Sequence, residues 1–128
     1  MSSGFIITRQ GLNVLAKALT GAELKFTRAA LGDCNYDGDG DLTPVTDEQA
    51  FERTGLIQWK KDLPIVENPT IEAGVAYVKF LIANADVTNG FWMCETGLFV
   101  EDPDNPLNEV LYAYEFRGLE GGWLPPTG

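Results

Sequence analysis

The chain contains no histidine. That removes the commonest general base and the commonest metal-ligating side chain. Ser-His-Asp and Cys-His chemistry are therefore excluded within it. Cysteine is scarce. Cys34 and Cys94 are the whole supply, and two do not make a disulfide framework. They read as free thiols in a protein assembled in a reducing cytoplasm, and whether they pair stays open. No apolar run approaches the ~18 residues of a spanning helix. Met1-Ser2-Ser3-Gly4-Phe5 lacks a basic region leading into a long apolar stretch, so no signal peptide is expected. Bases are few: 9 Lys and Arg stand against 19 Asp and Glu, for a net charge of −10. Phosphate binding needs clustered cations, so neither nucleic acid nor an anionic membrane is expected as a partner. The balance suits solubility and a basic protein partner.

What remains is ordinary globular material. With 128 residues, 45% hydrophobic and 22% charged, one folded domain with a real core is expected. Thr8 is set to cap a helix over Gln10–Leu19, where Leu12, Leu15, Ala16 and Leu19 recur at i, i+3, i+4 and i+7. Leu12 and Leu15 should then lie against a sheet, and Thr20-Gly21 should end the helix. Leu24–Leu31 reads as a strand with Leu24, Phe26 and Arg28 on one face. Thr46 and Gln49 have the spacing of a reciprocal cap for a short second helix over Asp47–Arg53, with Gly55 as its stop. Leu56–Leu63, Ile71–Asn84, Phe91–Glu101 and Asn108–Arg117 read as further strands. The last two should form a hairpin about the turn Asp102–Pro106. Val110, Tyr112, Tyr114 and Phe116 should share one face of it. The expected fold class is α+β: a mostly antiparallel sheet or two-sheet sandwich, with one N-terminal helix and a second short one. Residues 1–117 would be the domain, and the Gly- and Pro-rich residues 118–128 an extended linker.

Three sequence features could carry chemistry. Asp33, Asn35, Asp37, Asp39 and Asp41 alternate through a loop with Gly38 sixth, like the first half of a calcium loop. The second half departs from that pattern, because Pro44 stands where a bidentate Glu should close the shell. The competing and favoured reading is a solvated Gly- and Asp-rich turn. Phe91, Trp92, Phe99, Tyr112, Tyr114, Phe116 and Trp123 gather near the C-terminal hairpin. They could form a sugar-stacking platform, but strand alternation favours core and subunit interface. Glu95 is a lone carboxylate in an apolar strand and needs a partner; Arg28 and Arg117 are the candidates. No catalytic, cofactor-binding or metal residue is assigned, and the chain is not expected to be an enzyme.

The pieces also carry a likeness when taken in order. They are Phe5-Ile6-Ile7-Thr8 to Gly11, an alanine-bearing helix ending at Gly21, and Phe26-Thr27-Arg28 running to Leu31-Gly32-Asp33. Gly90-Phe91-Trp92 then leads to Glu95-Thr96-Gly97-Leu98-Phe99, followed by Leu111-Tyr112-Ala113-Tyr114 and Leu124-Pro125. Together they resemble the N-terminal domain of phage tail-collar fibre proteins. Cys94 departs from the pattern, which tends to carry Arg before the Glu. The resemblance implies a structural virion protein, a tail-fibre module that anchors a fibre to the baseplate of a contractile tail. It implies a homotrimer, with a baseplate protein and a downstream fibre chain as partners, assembled in the host cytoplasm. Val75–Ile82 and Tyr112–Phe116 would be its contact surfaces. The alternative is a carbohydrate-binding β-sandwich module with a structural calcium at the Asp33–Asp41 loop.

Overall fold

The computed structural model describes residues 5–22, 24–65, 70–72, 75–77 and 87–126. The chain runs through strand β1 (Ile6–Ile7), helix α1 (Arg9–Leu19), β2 (Phe26–Gly32), helix α2 (Asp47–Phe51) and β3 (Trp59–Leu63). It continues through β4 (Thr70–Glu72), β5 (Val75–Tyr77), β6 (Phe91–Trp92), β7 (Glu95–Asp102) and β8 (Asn105–Phe116). A 3-10 turn (Gly118–Gly121) and β9 (Trp123–Leu124) close it. Strands β1-β8-β7-β2-β3 form one antiparallel sheet, and β4-β5 and β6-β9 are two-stranded ribbons. The architecture is α+β and mostly antiparallel sheet.

The sheet buries both faces. On one, Val14 of α1 packs with Ala29, Leu31, Leu98, Val100 and Tyr112. On the other, Ala50 of α2 packs with Ala30, Phe99, Leu111 and Tyr114.

Helix α1 starts where its cap requires. The Thr8 hydroxyl accepts the Gly11 amide at 2.9 Å and donates to the Leu111 carbonyl. The Thr8 amide donates to the Tyr112 carbonyl at 3.0 Å. These bonds pin the first turn to β8 and so set the rotation of the helix. A Cβ on Gly11 would stand 2.0 Å from the Tyr112 carbonyl oxygen, so only glycine allows this approach. The inward face is therefore Gly11, Val14, Leu15 and Ala18, which satisfies the i, i+3, i+4, i+7 rule one position earlier than expected. Leu12 and Leu19 lie outside, 44% and 82% exposed. At the other end Gly21 takes φ +113° and closes the helix as anticipated. The short α2 carries the full reciprocal cap between Thr46 and Gln49.

The strand faces depart from simple alternation because both neighbours of β7 bulge at one place. Phe26 pairs with Val100 and Arg28 with Phe99, so β2 spends an extra residue at Thr27. Leu98 pairs with Ala113 and Phe99 with Leu111, so β8 spends one at Tyr112. Phe26 thus packs with the α1 layer, while Arg28 sits over the Phe99 ring on the opposite face. Val110 and Tyr112 face α1, and Tyr114 and Phe116 face α2. The Phe26 and Tyr112 rings meet edge to face across β7, with centroids 5.3 Å apart.

Other boundaries also move. The stretch Ile71–Asn84 is not one strand, since Ile71 of β4 pairs with Ala76 of β5 in a hairpin, and residues 78–84 lie outside the described residues. The expected strand Phe91–Glu101 breaks at Met93-Cys94, where the Met93 amide donates to the Gly122 carbonyl at 2.8 Å. Pro103-Asp104 alone makes the β7–β8 turn, with Asp102 opposite Asn105. The segment after Arg117, expected as an extended linker, folds back instead. Leu124 is buried in the core and pairs with Phe91.

Candidate functional site

Glu95 opens β7 and is fully buried. Neither expected cation reaches it: Arg28 pairs with Asp62 and Glu109, and Arg117 with Glu115. Four neutral donors hold its carboxylate. Oε1 accepts the Ile57 amide at 2.9 Å and the Tyr114 hydroxyl at 2.7 Å. Oε2 accepts the Gln58 amide at 2.9 Å and the Cys34 amide at 3.3 Å. Charge-assisted bonds to oriented backbone amides satisfy a buried carboxylate without a counter-ion. This explains why β3 begins at Trp59 rather than at Leu56. The amides of Ile57 and Gln58 turn toward Glu95 and leave the ladder. Gly32 is required alongside, because a Cβ there would stand 2.4 Å from Glu95 Oε2. The carboxylate is thus a knot joining the loop after β2, the segment before β3, and β8.

The ionisable groups around the knot are held neutral. Burial first, and the Glu95 charge second, push the Cys34 thiol and the Tyr114 hydroxyl far above their usual ranges. Burial, with Asp33 and Glu95 nearby, pushes the Cys94 thiol up to about 11. Both cysteines are free. A thiol so raised is a poor nucleophile.

The loop after β2 turns through left-handed backbone at Cys34 (φ 53°) and Asn35 (φ 62°), and again at Gly38 and Gly40. Its carboxylates serve the turn. Asp33 Oδ1 accepts the Asn35 amide at 2.9 Å, and Asp37 Oδ1 accepts the Asp39 amide at 3.0 Å. Asp33 Oδ2 faces the Lys60 ammonium at 3.6 Å. Among the described residues no three His, Cys, Asp or Glu side chains converge as a metal site. Asp33 and Asp37 thus each spend a carboxylate oxygen on the loop's own backbone, and Asp33 turns its other oxygen to a lysine.

On the α2 face, Arg28 lies in a row of bonds across the sheet. Its guanidinium joins Asp62 and Glu109 and covers the Phe99 ring at 4.0 Å. Thr27 donates to Glu109, and Trp59 Nε1 donates to Asp62 at 2.8 Å. Arg28, Trp59, Asp62, Phe99 and Glu109 line an open groove of about 560 Å³ with Gly55 and Leu56. A second groove of about 470 Å³ lies along α2, between Pro44, Gln49, Arg53 and Ile57.

The expected aromatic set divides. Phe91, Phe99, Tyr112 and Tyr114 are core, and Phe116 packs against the Tyr114 layer. The Tyr112–Phe116 strand is therefore largely interior to one chain and is not a free contact surface. Val78–Ile82 lies outside the described residues. Trp92 and Trp123 instead face each other across β6 and β9. No family description, no curated protein and no solved structure matches this chain. Sequence reasoning missed the donors to Glu95. Backbone amides carry no residue signature, and the nearest lies 37 positions away along the chain.

Proposed function

We propose that the chain is a structural attachment module, the N-terminal part of a tail fibre that anchors the fibre to the baseplate of a contractile tail. One observation carries the reading: the discontinuous pieces that bear the resemblance are in contact with one another. Thr8 and Gly11 meet Leu111-Tyr112, Gly32 meets Glu95, and a Cβ on Gly97 would meet Leu111. A constellation assembled from both ends of the chain serves a rigid scaffold. The neutral thiols and the tyrosine-bound carboxylate suit surface complementarity rather than turnover. The partners on this reading are a baseplate protein and a downstream fibre chain. The module acts in the virion as a homotrimer, with an interface of more than roughly 1,000 Å² in total.

Light scattering on the purified chain, with and without excess EDTA, tests the reading. A trimer indifferent to EDTA is expected. A monomer that loses stability in EDTA would favour the carbohydrate-binding module with structural calcium. Antibody raised against the chain should decorate the baseplate end of contractile tails from the same source. Labelling elsewhere on the particle, or none, would overturn the placement.

A further inference from the structure

The ribbon β6–β9 presents a small aromatic surface. Trp92 and Trp123 are cross-strand partners, with ring centroids 5.5 Å apart in an edge-to-face contact. Tyr36 also stands edge-on to Trp92, with centroids at 6.1 Å. Trp123 remains 48% exposed. The loop after β2 crosses this surface at Gly38, where a Cβ would lie 3.2 Å from Trp92 Nε1. Asp37 and Asp39, on either side of that glycine, are both exposed.

The surface is held in shape before any partner arrives. Leu124 anchors β9 in the core, and Gly121 packs where a Cβ would stand 1.7 Å from the Met93 carbonyl oxygen. The Cys34 amide ties the loop to Glu95. Pre-ordered surfaces lose less freedom on binding.

Charge decides the occupant. From Asp37 to Glu48 the chain carries Asp37, Asp39, Asp41, Asp47 and Glu48 with no Lys or Arg, in a protein of net charge −10. Indole faces attract cations, and carboxylates beside them reinforce the preference. We propose that the Tyr36–Trp92–Trp123 surface, with Asp37 and Asp39 on either side of Gly38, docks a basic segment of a partner protein. An arginine or lysine side chain rests against Trp123 while the two carboxylates face its charge. On the attachment reading, which this inference deepens, the segment belongs to a protein of the assembled tail.

The test is the affinity of a fluorescent peptide of alternating glycine and arginine for the whole chain at physiological salt, measured by anisotropy. The wild-type chain, W123A, D37N/D39N and D47N/E48N are compared. Saturable binding is expected, weakened roughly five- to thirtyfold by W123A. D37N/D39N should weaken it several-fold, and D47N/E48N, with equal charge removed away from the rings, should leave it unchanged. Asparagine at position 37 keeps the acceptor for the Asp39 amide, so that variant decides the matter even if W123A fails to fold. No binding by the wild-type chain would overturn the proposal. So would equal losses in the two double variants, which mean diffuse attraction to acid, or competition by a neutral oligosaccharide. A trimer found at the baseplate that ignores the peptide sinks this inference alone. Peptide binding by a chain absent from tails sinks the attachment reading alone.

Discussion

Glu95 shows how a buried carboxylate can be satisfied without a base. Each oxygen accepts two donors, so an amide in its place must turn an NH2 group toward a pair of donors. E95Q should therefore destabilise the chain by about 3 kcal/mol, read from denaturant midpoints. Y114F removes one donor and leaves the others, and should cost about 1–2 kcal/mol. Equal stability for E95Q and wild type would show that the knot does not hold the loops. The neighbouring thiols predict a pH dependence. Their pKa values are raised in the folded chain, so the fold binds more protons than the unfolded chain above the ordinary thiol range. Their contribution is complete below about pH 8.5 and is lost as pH rises toward 11 and beyond, by linkage to the unfolded thiol. Melting temperature should fall over that window, and less steeply in C94A than in wild type. Cys94 should resist thiol reagents at pH 8 until the chain unfolds.

At the scale of the element, the helices divide what is local from what is not. The caps at Thr8 and Thr46 were legible because a cap is a bond between residues three apart. The inward face of α1 was not. Apolar periodicity pointed to Leu12, but the bonds from Thr8 to Leu111 and Tyr112, more than a hundred positions away, rotate the helix by one residue. The glycine at position 11, not a leucine, is the residue that touches the sheet. G11A should thus push α1 off β8 and cost more than about 2 kcal/mol, whereas L12K on the exposed side should change stability by less than about 0.5 kcal/mol. Thermal or chemical melts of the two variants give the comparison. The reverse order would restore the periodicity reading. The same logic hid the strand faces. The bulges at Thr27 and Tyr112 depend on register against β7, and nothing local distinguishes a bulged residue from a paired one.

For the whole molecule, the ends of the chain close the fold. Strand β1 pairs with β8, β9 pairs with β6, and the amides of Arg117 and Gly118 both donate to the Cys94 carbonyl. Glycine and proline in the last residues looked like a linker because their composition is that of a linker. Three of those glycines, at 118, 121 and 122, instead serve a tight turn, with positive φ at Gly118 and Gly122. Truncation after Arg117 should remove Leu124 from the core, expose Phe91 and lower stability by about 2–4 kcal/mol. A truncated chain as stable as the full one would return those residues to the status of a tail. The α+β class and the β7–β8 hairpin were readable from patterning and turn residues. The charge site was not, since three of its four donors belong to the backbone.

The paired bulges have one more effect. Strand β7 is a residue shorter than the strand on either side over the same stretch, and a bulge on each side sharpens the local twist of the sheet. Phe26 and Tyr112 reach over the short strand and fasten the twist in place. A sheet twisted in this way lies poorly against a flat copy of itself, and flat open strands are what uncontrolled stacking requires. The twist would thus guard the folded chain against fibrillar aggregation.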